Sequence, residues 1–100
     1  MNRATNKFHC DLRHPIKTKM KFVKVIRDDE DGCCSQALFH NPDTGQHFLY
    51  SYVNNDFAHE TMVFKCDVNG DITDWHQLAF EHGYVKTFDI VPRVLEEMSQ

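Results

Sequence analysis

Glycine and proline are scarce, with 4 and 3 among 100 residues, which excludes a collagen-like or linker-like chain. No apolar run approaches the roughly 18–20 residues of a membrane span. The opening stretch, MNRATNKFHCDLRHPIKTKMK, has basic residues but no apolar core and no small-residue cleavage site, so no secretory leader is expected. Missing as well are a C-x2-C knuckle, a P-loop, a G-x-G-x-x-G turn, an H-E-x-x-H helix and the paired H-x-E and P-C-x-x-C of zinc deaminases. Each absence removes a class of nucleotide-binding or metal-dependent chemistry from the first rank of readings. Without a leader, Cys10, Cys33, Cys34 and Cys66 read as reduced thiols of a cytosolic protein, packed as small hydrophobes.

What is present is one ordinary globular domain. Hydrophobic residues make up 41% and charged residues 26% of the chain, and 12% aromatics argue against disorder. The charge is unevenly distributed. Residues 1–27 carry Arg3, Lys7, Arg13, Lys17, Lys19, Lys21, Lys24 and Arg27 against Asp11 alone. From residue 28 onward only Lys65, Lys86 and Arg93 oppose fourteen acids. The net charge of −4 therefore hides a basic leader on an acidic body, a pattern that suggests an interaction tail or a steering field.

Pro15 breaks any helix beginning near Phe8, and residues 1–18 read as a basic N-terminal arm. Residues 19–100 read as a single α+β domain. Period-two alternation predicts a first strand at Met20–Ile26, with Phe22 and Ile26 on one face and Val23 and Val25 on the other. A second follows over Cys34–His40. Asn41-Pro42-Asp43-Thr44-Gly45 is a turn in which Gly45 supplies positive φ. The third strand, Gln46–Val53, aligns Phe48, Tyr50 and Tyr52, and the fourth covers Glu60–Cys66. Asn69-Gly70 predicts a type I′ hairpin. Ile72–Phe80 reads as a fifth strand with Ile72, His76, Leu78 and Phe80 on one side. A helix remains open there, since Asp74 and Gln77 form a potential capping box and Trp75, Leu78, Ala79 and His82 share a helical face ending at Gly83. At the end of the chain Phe88, Val91, Leu95 and Met98 make a helical stripe, with Thr87 as N-cap and Pro92 near the first turn. The expected fold is an antiparallel four- to five-stranded meander with one C-terminal helix packed on a face.

Candidate chemistry is sparse. Seven histidines invite a metal, but Cys10 and His14 have no paired knuckle, and His40, His47, His59, His76 and His82 stand singly. Cys10 beside His9 is the best thiol candidate, without a third residue to orient the base. No metal or cofactor is therefore expected, and a small metal-binding or thiol-dependent enzyme stands as a minor alternative. The Phe48, Tyr50, Tyr52 stripe reads as core, not as a stacking platform, because it belongs to the acidic part of the chain. Nucleic acid would meet Lys17, Lys19, Lys21 and Lys24, through phosphates. Acids on an exposed sheet face, Asp43, Asp67, Asp71 and Asp74, would steer a protein with a basic surface. A homodimer is a further reading, because an open meander leaves pairable edges.

The segment Thr61-Met62-Val63-Phe64-Lys65-Cys66-Asp67-Val68-Asn69-Gly70-Asp71-Ile72-Thr73-Asp74-Trp75 resembles a hairpin of small phage and prophage accessory proteins. The resemblance implies a cytosolic module in the host cell that binds and modulates a host protein, including inhibitors of host defence. It brings no catalytic residues, and the basic arm has no counterpart in it. The leading expectation is a non-enzymatic protein-binding module acting through an acidic surface.

Overall fold

The computed structural model describes residues 20–29 and 34–98. The arm at 1–18, with Cys10 and Lys17, lies outside the described residues, as do Lys19 and Cys33. Five strands follow one another: β1 (Lys21–Asp28), β2 (Cys34–His40), β3 (His47–Asn54), β4 (His59–Cys66) and β5 (Ile72–His82). They pair antiparallel in sequence order, a pure meander, and α1 (Thr87–Met98) follows. The expected α+β meander with one C-terminal helix is what the described residues form. Residues 72–82 are strand, so the helical alternative is overturned.

The alternation that builds the sheet also sorts its two faces. Ala37 pairs with Tyr50, Phe39 with Phe48 and Tyr50 with Val63, and all five are buried beneath Ile90, Val91 and Val94 of the helix. The aromatic stripe is thus core. On the opposite face, Leu38 meets Leu49, and Cys66 completes a smaller buried cluster with Ile72 at its margin. The stripe of α1 is rotated from the expected one. Ile90, Val91 and Val94 are buried, Leu95 is half-buried, and Phe88 is half-buried below the Lys86 ammonium. The Met98 side chain lies outside the described set. Lys86, not Thr87, caps the helix, since its carbonyl accepts from Asp89 and Ile90 N–H. Thr87 is fully buried as the first helical residue, which puts Pro92 in the second turn.

A clasp of hydrogen bonds fixes the link from β5 to α1. Thr61 Oγ1 donates to Gly83 O at 2.7 Å and accepts from Val85 N at 3.0 Å. Tyr50 Oη donates to Val85 O at 3.0 Å. A contact of His76 Nε2 with Glu97 Oε1 at 3.5 Å and an ion pair between Arg93 and Glu81 tie the helix to β5 on the solvent side.

Departures from strict alternation come from bulges, each of which adds residues to one strand of a pair. β1 has two, at Phe22/Lys24 and Val25/Arg27. They place both Phe22 and Val25 on the helix side, Phe22 edge-on against Phe39, and send Ile26 the other way. This corrects the expected grouping of Phe22 with Ile26. β5 arches between Asp74 and Ala79, opposite Phe64, so Leu78 turns into the core while Phe80 is exposed. This corrects the expected common side for Leu78 and Phe80.

The Asn69-Gly70 turn also differs from expectation. Gly70 alone has positive φ, at 91°, and Asp67 O accepts from Gly70 N, so a tight turn is followed by a left-handed glycine rather than a type I′ pair. A Cβ at Gly70 would collide with Ile26 Cδ1. Three strand spacings of roughly 4.8 Å separate β1 from β4 in a flat sheet. The contact therefore shows that the sheet curls, bringing its first strand over to its last hairpin. Gly70→Ala should cost about 1–3 kcal/mol in urea unfolding, from φ strain and the clash together. Adding Ile26→Ala should return part of that loss. Additive costs for the two substitutions would show that the residues do not touch.

Candidate functional site

The two acidic turns share one end of the sheet. His40 pairs with His47 and His47 with Cys66, so the 41–46 and 67–71 turns are neighbours there. Gln46 Nε2 stitches them, donating to Cys66 O at 3.2 Å. Asp43 and Asp71 are exposed, and Asp67 is half-buried. Each turn is built by its first residue. Asn41 Oδ1 accepts from Asp43 N, and Asp67 Oδ1 accepts from Asn69 N and Asp71 N. Asp74, exposed at the start of β5, stands across from Lys65 and accepts from His76 N. The four predicted acids are therefore gathered at one end and one corner of the sheet, in turns and at an edge rather than on a strand face.

At the same corner the arch of β5 delivers a residue that the charge pattern did not single out. Trp75 is 74% exposed and rests its ring edge-on against the buried Phe64, with centroids 5.6 Å apart. Its neighbours on the arch are tied elsewhere. His76 reaches Glu97 of the helix, and Gln77 Nε2 lies 3.5 Å from Met62 Sδ. A bulge that sets residues 75–78 against Phe64 alone can aim each of them separately. The signal available in the sequence was the single tryptophan next to Asp74. Its exposure could not be read there, because the same residue fitted a helical core face. A second exposed ring, Phe57 at 97%, caps the β3–β4 turn at the far end of the sheet.

The predicted basic residues divide. Lys17 and Lys19 are outside the described residues. Lys21, Lys24 and Arg27 stand opposite His40, Leu38 and Gln36, which alternate along β2 and so share one face. The two bulges thus convert a three-residue spacing into a row on one side of the edge strand. Arg27 is occupied by a two-pronged contact with Asp29, which holds that carboxyl below its usual range.

Among the described residues no group of three His, Cys, Asp or Glu side chains could hold a metal ion. His40 and His47 stack as a cross-strand pair with centroids 4.5 Å apart. Cys34 and Cys66 are in no disulfide. Burial, helped by the carboxylates of Asp67 and Asp71, pushes the Cys66 thiol up to about 11. That disfavours the thiolate at neutral pH, which is the form a nucleophile needs. No described helix is long and apolar enough to cross a membrane. No family model, curated protein or solved structure matches the chain.

The raised thiol has a consequence for stability. The unfolded thiol ionises first as pH rises, while the folded thiol keeps its proton until about 11. Its contribution is therefore complete below the unfolded value and is lost as pH climbs through the folded one. Cys66→Ala should flatten the fall in stability over that alkaline window. An unchanged slope in urea titrations across it would show that the thiol is solvated.

Proposed function

We propose that the chain is a non-enzymatic protein-docking module whose partner has an apolar socket rimmed by basic residues. The observation that carries this reading is Trp75, held outside the core on a rigid platform beside acidic turns. Tryptophan is the side chain most enriched among residues that dominate binding energy, and truncating such an anchor typically costs about 2 kcal/mol or more. Asp43, Asp67, Asp71 and Asp74 supply a negative field that would speed encounter with a basic surface and make it salt-dependent. Two properties support Trp75 as an anchor rather than a stray core residue: its edge-on contact with Phe64 limits its freedom before binding, and a backbone arch aims it. The finer identification, a phage-type inhibitor or modulator of a host protein, rests on the hairpin resemblance over Thr61–Trp75 alone.

A second reading has its own observation. The row of Lys21 and Lys24 would suit a phosphate backbone, extended by Lys17 and Lys19. It would give binding without sequence preference. A small metal-binding or thiol-dependent enzyme is the third reading, and the protonated Cys66 lends it no nucleophile.

Affinity capture from a bacterial lysate with the full chain, Trp75→Ala and the pair Asp71→Lys with Asp74→Lys separates these readings. The docking reading expects one protein retained by the parent at low salt, lost by both variants and weakened at high salt. Recovery of nucleic acid alone, or of the same protein by all three chains, contradicts it.

A further inference from the structure

His40 and His47 are distant in the chain, and the register of β2 on β3 sets them face to face. The turn fixes the kind of pairing. Asn41 N donates to Gln46 O at 2.9 Å, so Asn41 and Gln46 are the bonded pair that closes the hairpin. His40 and His47 are then a non-bonded pair, in which facing side chains come closest. Their rings stack with centroids 4.5 Å apart and planes tilted by 32°. Both residues are half-buried. No hydrogen bond or ion pair among the described residues engages a nitrogen of either ring, and none of those nitrogens is buried without a partner. The pair therefore offers unengaged nitrogens to solvent from two neighbouring strands. The other described histidines stand apart: His59 lies against Tyr52, His76 against Glu97 and His82 against Phe80.

An imidazole binds a divalent transition metal through a neutral ring nitrogen at about 2.0–2.1 Å. Two imidazoles on one ion then have ring centres roughly 4.5 Å apart at a right angle and roughly 5.2 Å apart at the tetrahedral angle. The observed spacing matches the right angle, which is the geometry of copper(II) and nickel(II) rather than of zinc. Stacking alone produces the same spacing; the unengaged nitrogens and the surrounding charge are what favour an ion. Asp67 follows Cys66, the partner of His47, and its Oδ1 accepts from Asn69 N and Asp71 N, so its carboxylate cannot swing away. Lys21, in register with His40, opposes a cation, but it is exposed and its flexible stem can carry the ammonium into water.

We infer that His40 and His47 form a two-imidazole chelate for copper(II) or nickel(II), with water in the remaining positions. Among the described residues no third His, Cys, Asp or Glu completes a group with them. Rotation about χ2, a soft torsion, turns a nitrogen of each ring to the ion without moving the hairpin. Once one imidazole is bound, the second binds within the same molecule at high effective concentration, and this is what two ligands gain over one. The chelate sits on β2 and β3 and uses neither Trp75 nor a protein partner, so it stands independently of the docking reading.

The test adds nickel(II), which thiols do not reduce, to the full, unaltered chain. In nitrogen–proton correlation spectra the residues broadened at the lowest nickel ratio should be His40, Asn41, Gln46 and His47, and the effect should saturate at one ion per chain. Broadening centred on other residues, such as Cys10 and His14, overturns the inference, and so does the lack of saturation. This readout needs no variant and holds whether or not a substituted chain folds. By calorimetry, His40→Ala and His47→Ala should each weaken nickel binding at least about tenfold, because each leaves a single ligand. His76→Ala should leave it unchanged. Equal affinity in the parent and all three variants overturns the inference as well.

Discussion

The hydroxyl of Thr61 is the point on which the fold turns. Buried in β4, it donates to Gly83 O and accepts from Val85 N, while Tyr50 on the next strand binds Val85 O. These bonds satisfy backbone groups in the tight passage between β5 and α1, which would otherwise be desolvated without partners. They also decide where the helix begins. Lys86 caps it directly beyond the clasp, and Ile90, Val91 and Val94 then fall onto the aromatic stripe. One face of the sheet is thereby committed to the helix. The other face and the β5 edge are left to other uses.

That division explains why the interesting surface is a corner. The helix reaches β5 through His76 and Glu81, and the strand arches between Asp74 and Ala79. The arch gives up regular pairing opposite Phe64 and presents Trp75 to solvent. Nearby, two turns organised by Asn41 and Asp67 bring three further carboxylates to the same end. An exposed aromatic side chain with carboxylates around it has the make-up of the anchors that dominate protein interfaces, which is the ground of the docking proposal.

Much of this was legible in the residues. Alternation over β2, β3 and β4 is strict, so Phe48, Tyr50 and Tyr52 could be placed under the helix before any coordinates. Gly45 and Gly70 marked their turns, because only glycine adopts positive φ there at little cost. Bulges were not legible, since an inserted residue leaves the composition of a strand unchanged while reversing every face beyond it. Hence Ile26 and Phe80 were assigned to the wrong sides. The phase of α1 was misread because Phe88 and Leu95 are as apolar as Ile90 and Val94, and the clasp at Gly83–Val85 sets the rotation. The four acids could be named from the sequence, but their gathering at one end required the register of β3 on β4. Trp75 was hidden by ambiguity, as helix and strand patterns both accommodate it.

The central claim is that Trp75 stands outside the core, poised for a partner. As the chain's one tryptophan, it reports on itself. Steady-state emission with iodide quenching, measured on the parent beside the stability of Trp75→Ala, is the most direct measurement. A solvent-like spectrum, efficient quenching and a stability change within about 0.5 kcal/mol are predicted, as for a surface substitution. A blue-shifted, protected emission with a loss of about 3 kcal/mol or more would mark Trp75 as core, and the account would be wrong.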